Sequence, residues 1–348
     1  MILISMIFVF AVSSQAQENE KETLTVAQVA DITTLDPHKA SDIYSANVME
    51  QIYNKLVKIN KEMNIVGDLA KSWENPDKNT WIFHLRKGVK FHNGQEFTAE
   101  DVKFTIKRLQ NPDIASPGKW LMAQVNEVKV VDDYTIKLKT KKPFAPLLSN
   151  LARYEMAMLN KEAVENAGEN YDKNPVGTGP FKFEEHIYGD KVILSKFEDY
   201  FKGPSDVEEI VYRAIPEDAT RVIEIETGGI DIMYDMPPQE LSRFEGKSNL
   251  NIVETLGQST LYMGFNFNVE PFNNKKVRQA LNYGVDKKGI IEAVFYGKAK
   301  PSYGPLSPSI WGFDKSLDPA YPYNPEKAKE LLKEAGYPDG FECTAFTD

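Results

Sequence analysis

The chain has 348 residues, of which 42% are hydrophobic and 26% charged, and its formal net charge is −10. This length suffices for two or more domains, each with its own hydrophobic core. The acidic balance argues against a nucleic-acid partner, because such proteins carry basic patches that neutralise phosphates. The single cysteine, Cys343, excludes an intrachain disulfide and a thiolate metal cluster.

Residues 1–16 are predicted to be a signal peptide. Residues 2–12 form an almost uninterrupted apolar run that is too short to span a bilayer, and Ser14-x-Ala16 suits a cleavage site. No lysine or arginine precedes the run, so either the signal is weak or the true start lies upstream. A buried N-terminal strand or helix is the alternative.

The next segments predict a strand, a loop and a helix in that order. Residues 23–27 alternate as a strand, and residues 30–37 form a loop that ends in Asp36-Pro37. Helical periodicity then covers residues 41–59, and one face of that helix is apolar: Val48, Ile52, Tyr53 and Leu56.

Residues 81–102 carry the clearest local signals. The alternation of Trp81, Phe83 and Leu85 predicts a strand with one buried face. Asn93-Gly94 predicts a turn, because these residues tolerate positive φ. Thr98 then predicts a helix N-cap, with Asp101 in the first turn of the helix.

Strands and helices alternate through the remainder, which indicates α/β layers. A hairpin is predicted over 127–139, and Gly177-Thr-Gly-Pro180 marks a domain crossing. Further strands are predicted over 191–196, 209–215, 230–233 and 341–348. Helices are predicted to begin at Asp218 or Ala219 and end at Gly228, and to begin after the cap Asn324 and end before Gly336.

No catalytic constellation is visible, so we do not expect an enzyme. No G-x-S-x-G elbow occurs, and residues 177–180 lack the lysine of a phosphate loop. The four histidines lack the i, i+4 spacing of a zinc helix: His38, His84, His92 and His186. Neither a metal site nor a cofactor is predicted.

Six motifs in order identify a family resemblance. Gly67-Asp-Leu-Ala-Lys-Ser-Trp73 with residues 81–102 resembles the signature of the family 5 extracellular solute-binding proteins, the peptide-, nickel- and glutathione-binding receptors of bacterial ABC importers. The other motifs follow in the family's order: 174–183, 215–221 with 226–232, 264–268, 277–281 and 324–336. The resemblance runs from about residue 22 to the last residue.

The resemblance implies a bilobal α/β fold similar to type II periplasmic binding proteins, with an inserted extra domain. Domain I would comprise 17–58 plus 176–258, inserted domain II would comprise 59–175, and domain III would begin at 259. Family members are longer, so we interpret the sequence as a fragment or the product of a premature stop, with an incomplete third lobe. The acidic residue that captures a peptide amino terminus in relatives would lie beyond residue 348.

The resemblance also implies where a ligand would bind. The loop after the first strand lines the family's cleft, which here gives Asp31, Ile32, Thr33 and Thr34. The alternative is that Thr33 and Asp36 only shape a turn before Pro37. Nickel-binding relatives place a cleft arginine where this chain has Tyr154, one residue after Arg153. Arg153 is predicted to bind a ligand carboxylate, with a salt bridge as the alternative.

We therefore predict an extracytoplasmic receptor that captures a short peptide and delivers it to the permease of an ABC importer. Glutathione or chelated nickel is the alternative ligand, and a periplasmic sensor or chaperone without a transport role is the alternative function. We expect a monomer in the periplasm. Many relatives are lipoproteins, but no cysteine lies at the cleavage point here.

Overall fold

The computed structural model describes residues 22–255, 257, 260–302, 304–308, 310, 312–317 and 320–346. The predicted signal peptide at residues 1–16 lies outside these ranges. The chain divides into two compact units, one ending at Asp235 and the other beginning at Met236.

The strands of the first unit are β1 Thr23–Gln28, β2 Val57–Ile59, β3 Ile65–Gly67, β4 Ala70–Asp77, β5 Thr80–Leu85, β6 Val125–Asp132, β7 Thr135–Thr140, β8 Phe181–Ile187, β9 Lys191–Lys196, β10 Glu209–Ala214 and β11 Ile232–Met233. Its helices are α1 Ile43–Ile52, α2 Ala99–Gln110, α3 Leu147–Leu151, α4 Lys161–Ala167 and α5 Asp218–Thr227. The second unit contains α6 Lys275–Gly284, α7 Lys287–Phe295 and α8 Pro325–Glu334.

Two larger sheets organise the first unit. One has the strand order β11-β1-β10-β9-β8, with β1 parallel to both of its neighbours and the β10-β9-β8 pairs antiparallel. The other is the antiparallel sheet β4-β5-β7-β6, and β2 and β3 form a separate pair. Helix α5 connects β10 to β11, which gives the predicted strand–helix–strand order.

Each larger sheet has its own hydrophobic core. The four-strand core is built on β4-β5-β7-β6 and α2, and includes Phe83, Leu85, Ile106, Leu109 and Ile136. The five-strand core is built on the other sheet and α1, and includes Val26, Ile52, Tyr53, Leu194 and Tyr212. Leu159, Val164 and Tyr171 belong to the five-strand core. The predicted domain boundaries at 58/59, 175/176 and 258/259 stay a prediction.

Where the chain returns from the four-strand core to the five-strand core, successive residues belong alternately to the two cores. Met156 and Met158 belong to the four-strand core, whereas Ala157 and Leu159 belong to the five-strand core. The amide of Met158 donates to the carbonyl of Asn54 at 2.9 Å, so the outgoing and returning passes lie side by side.

The predicted crossing at residues 177–180 lies against the end of α1. A side chain on Gly177 would place its Cβ 1.9 Å from the carbonyl oxygen of Ile52, and one on Gly179 would lie 2.2 Å from that of Gln51. Both glycines are therefore required by close backbone approach. His92 seals the same contact, because its ring accepts from the Gly177 amide at 3.3 Å and lies 3.0 Å from the Gly179 carbonyl oxygen.

Most of the local predictions are confirmed. Thr98 and Asp101 form a capping box at the start of α2, Gly94 has φ +85°, and Gly228 ends α5 in the left-handed conformation. In the second unit, Asn324 caps α8, which packs on α6 through Ala280, Ala328 and Leu331.

Two predicted elements are wrong. The helix predicted over 41–59 ends at Ile52, because Tyr53 is extended and residues 57–59 pair with β3 instead. The strand predicted over 341–348 is not present in its described part, 341–346, where no described strand pairs with it. Apolar alternation predicts a strand only where a partner edge is available.

Candidate ligand-binding site

Loop 30–37 connects β1 to α1 and is held by the first turn of that helix. Asp42 caps α1 by accepting from the Ser45 amide at 2.7 Å. The Thr33 hydroxyl donates to Asp42 at 2.5 Å, and the Thr33 amide donates to the Ser45 hydroxyl at 2.9 Å. The Thr34 hydroxyl accepts from the Asp36 amide at 3.1 Å. Thr33 and Thr34, the two threonines predicted to contact a ligand, therefore both help to shape the loop.

Asp31 bonds to the turn between β8 and β9. Its carboxylate accepts from the Gly189 amide at 2.8 Å and lies 2.9 Å from Nε2 of His186. It also accepts from the Ile32 amide at 2.8 Å. Burial alone would raise the pKa of Asp31, but these hydrogen bonds and the proximity of His186 outweigh it and hold the pKa below its usual value. Ile32 itself is buried in the five-strand core.

Asp36, at the end of the loop, is held by a residue of α2. Arg108 donates from Nη1 and Nη2 to its two carboxylate oxygens at 2.9 and 2.6 Å, and both side chains are buried. Burial would raise the pKa of Asp36, but the hydrogen bonds and charge of Arg108, together with His38, outweigh it and hold the pKa below its usual value. No local pattern predicts this pair, because 72 positions separate the two residues in the chain.

Arg153, Tyr154 and Glu155 form a second candidate region. Arg153 donates from Nε and Nη2 to Glu155, the shortest distance being 2.6 Å. Its guanidinium lies 5.7 Å from the ring centre of Trp120 and 6.0 Å from that of Tyr154. Among the hydrogen bonds of the described residues, none uses Nη1 of Arg153. The Arg153 side chain is 46% exposed, so its outer edge is accessible.

Trp120 is a further candidate site residue that the sequence motifs do not indicate. It lies in a short 3-10 helix, Lys119–Met122, and is 59% exposed. An indole this accessible beside a cation suits an aromatic or apolar ligand group. The signal available in the sequence was a tryptophan two residues after Pro117-Gly118, a turn pair.

Asp42 relates the two regions. Burial and the charge of Glu155 raise the pKa of Tyr154, and the charge of Asp42 adds a smaller effect. Asp42 therefore accepts a hydrogen bond from Thr33 and acts on Tyr154 through its charge, whereas Asp31 bonds to the β8–β9 turn.

The described residues contain no group of three or more histidine, cysteine, aspartate or glutamate side chains that could hold a metal ion. His84 pairs with Glu74 at 2.8 Å, and Cys343 is an exposed thiol. Over the same ranges, no helix combines the length and the apolar character needed to cross a bilayer.

The α/β architecture matches periplasmic binding proteins of known structure. The peptide complex of DppA from Helicobacter pylori, an ABC transporter-associated periplasmic binding protein, superimposes with a TM-score of 0.82 at 33% identity, covering 93% of this chain and 68% of DppA. The nonapeptide complex of the oligopeptide-binding protein AppA from Bacillus subtilis gives a TM-score of 0.79 at 31% identity, covering 90% of this chain and 64% of AppA. The predicted fold class is confirmed.

The sequence profile of the bacterial extracellular solute-binding proteins, family 5 (middle), matches residues 64–347. The chain belongs to this family, which consists of binding proteins rather than enzymes. It is 35% identical over 326 residues to the glutathione-binding protein GsiB of Salmonella typhimurium, covering 93% of this chain. The chain spans 63% of the length of that relative.

Proposed function

We propose that the protein is a periplasmic, monomeric receptor of an ABC importer, which captures a short peptide and passes it to the membrane permease. Its role is binding without catalysis. Membership of the family supports the class of function, and the peptides bound to the structural relatives DppA and AppA support the class of ligand.

The observation that carries the proposal is the guanidinium of Arg153. Glu155 holds two of its nitrogens in place, while Nη1 has no hydrogen-bond partner among the described residues. A guanidinium prefers a carboxylate in a two-pronged arrangement. Arg153 would bind the ligand carboxylate, and Trp120 and Tyr154 would pack on the neighbouring apolar part of the ligand.

The other predicted site residues keep a more limited role in this proposal. Asp31, Thr33 and Thr34 would present backbone groups of loop 30–37 to an extended peptide, since main-chain hydrogen bonds give affinity without sequence choice. Ile32 would anchor the loop from the five-strand core.

The test compares one tripeptide as its free acid and as its C-terminal amide. A ligand that binds only the native state raises the midpoint of thermal unfolding, and the rise grows with the logarithm of the ligand's excess over Kd. We expect the free acid to raise it and the amide to do so much less. Arg153→Lys keeps the charge beside Glu155 but loses the fork, so it should remove most of this preference. Lys119→Met, which removes an exposed charge next to Trp120, is the matched control.

The second candidate ligand is glutathione, favoured by the 35% identity to GsiB. Reduced glutathione carries two carboxylates and belongs in the same panel, together with a nickel chelate. A shift with glutathione that exceeds the shift with every di- to pentapeptide would replace peptide by glutathione as the ligand. No shift with any of these compounds would refute the receptor proposal, and a sensor or chaperone role would then be favoured.

A further inference from the structure

Loop 30–37 is anchored at three places, and the third comes from the other core. Asp31 bonds to the β8–β9 turn, and the Thr33 amide bonds to Ser45 on α1; both partners belong to elements of the five-strand core. Asp36 bonds to Arg108 on α2, which packs in the four-strand core through Val102, Ile106 and Leu109. The shape of the loop therefore depends on both cores.

The hydrogen bonds of Arg108 fix the orientation of the Asp36 carboxylate. The two parallel N–H···O bonds fix the plane of the carboxylate, and the His38 amide donates to the same carboxylate at 3.0 Å. The side chains of Arg108 and Asp36 are only 7% and 1% exposed, so water cannot replace either partner. A lysine at position 108 could not reproduce the fork.

The histidine beside this pair, His38, carries no charge. The ring of His38 is fully buried, and neither ring nitrogen has a hydrogen-bond partner within the described residues. Burial and the charge of Arg108 lower the pKa of His38 to about 3, although Asp36 opposes this. His38 is therefore neutral at physiological pH, and the guanidinium of Arg108 balances the charge of Asp36.

We infer that Arg108 is a positioning residue: through Asp36, the four-strand core fixes the conformation of loop 30–37. The consequence for ligand affinity depends on the proposed function, in which this loop presents backbone groups to a peptide. The loop-fixing role itself requires no ligand. It gives Arg108 a role in binding without a ligand contact of its own.

The test measures amide hydrogen exchange in the full chain for Arg108→Lys. We expect the amides of Thr33 and Thr34 to exchange about tenfold faster, because the loop opens without unfolding either core. Leu109→Ala is the matched control, since it weakens the same helix and the same core without touching the loop. Leu109→Ala should lower the midpoint of thermal unfolding. Exchange at the loop amides should accelerate no more than exchange at the other amides of the first unit.

Uniformly faster exchange in Arg108→Lys, matching the pattern of Leu109→Ala, would overturn the inference, as would unchanged loop exchange. If Arg108→Lys does not fold, the double variant Asp36→Asn/Arg108→Gln keeps a neutral hydrogen-bonded pair and is judged by the same exchange pattern. Trialanine affinity is measured in parallel, with an expected loss of about tenfold in Arg108→Lys. Local loosening in a protein whose wild type does not bind trialanine would uphold the inference and count against the proposed function.

Discussion

Loop 30–37 and the segment from Arg153 to Glu155 both contain predicted ligand contacts, yet their charged groups are used differently. In the loop, Asp31 and Asp36 accept hydrogen bonds from partners on other elements, and Asp36 is nearly inaccessible. In the segment, Glu155 is buried while Arg153 remains 46% exposed beside Trp120. A charged residue in a predicted cleft can therefore serve either the shape of the site or the ligand, and its accessibility separates the two roles.

The buried pair of Asp36 and Arg108 should be the most sensitive to substitution. Asp36→Asn leaves Arg108 buried without a counter-charge, which should lower the free energy of unfolding by about 3–5 kcal/mol. Glu155→Gln is the matched variant in the other region. There we expect a loss of about 1 kcal/mol or less, because the half-exposed Arg153 can be hydrated. Urea denaturation measures both, and equal losses would abolish the distinction.

Acid should destabilise the protein through two buried histidines, His38 beside loop 30–37 and His92 at the crossing 177–180. The pKa of His38 is lowered to about 3 by burial and by Arg108, and burial lowers that of His92 to about 4. In the unfolded chain both histidines bind a proton near pH 6.5, whereas in the native state they stay neutral to a much lower pH. The free energy of unfolding is therefore highest above pH 6.5 and falls as the pH drops towards 4. Between pH 7 and pH 5, protonation of each histidine in the unfolded chain should lower the free energy of unfolding by about 2 kcal/mol.

Urea denaturation of wild type, His38→Gln and His92→Gln at the two pH values checks this. Each variant should show a smaller loss between pH 7 and 5 than the wild type does. An unchanged pH dependence in His38→Gln would mean that the ring near Asp36 is already hydrated or paired.

A moderate effect is expected at the start of the loop. Asp31→Asn removes the charge that His186 and the Gly189 amide stabilise, and should cost about 1–2 kcal/mol at pH 7. Because the pKa of Asp31 is lowered in the native state, this contribution is complete above its ordinary pKa of about 3.9 and disappears as the pH falls below it. The exposed Asp190 lies in the same turn, and Asp190→Asn should change stability by less than about 0.5 kcal/mol.

The smallest effect concerns the Thr33 hydroxyl. Thr33→Val removes its hydrogen bond to Asp42 and should cost about 0.5–1 kcal/mol, whereas Thr33→Ser keeps the donor and should cost less. Peptide affinity is measured alongside stability. If Thr33→Val loses affinity at unchanged stability, the hydroxyl serves the ligand, and the contrast with Arg153 would have to be redrawn.

Local structure was largely predictable because its signals are local. The cap formed by Thr98 and Asp101, the turn at Gly94 and the stop at Gly228 each depend on a few neighbouring residues. The helix predicted over 41–59 was too long because its apolar spacing continues through Leu56, although residues 57–59 pair with β3. Tertiary pairing overrode the periodic pattern there.

The candidate site was less predictable, because its contacts join distant parts of the chain. His186 reaches Asp31 across 155 positions, and Arg108 reaches Asp36 across 72. A single sequence contains no signal for such pairs. The family resemblance supplied the segments, but only the structure shows which of their polar groups already have protein partners.

The hydrogen bond between Met158 and Asn54 has a consequence for protein engineering. The chain leaves the five-strand core after Asn54 and comes back to it at the neighbouring backbone position, so the intervening stretch is a module with adjacent ends. A short linker could replace that module without reordering any strand of the five-strand sheet. Such an excision would also remove Arg108, which balances the buried charge of Asp36. The shortened protein would therefore need a neutral residue at position 36.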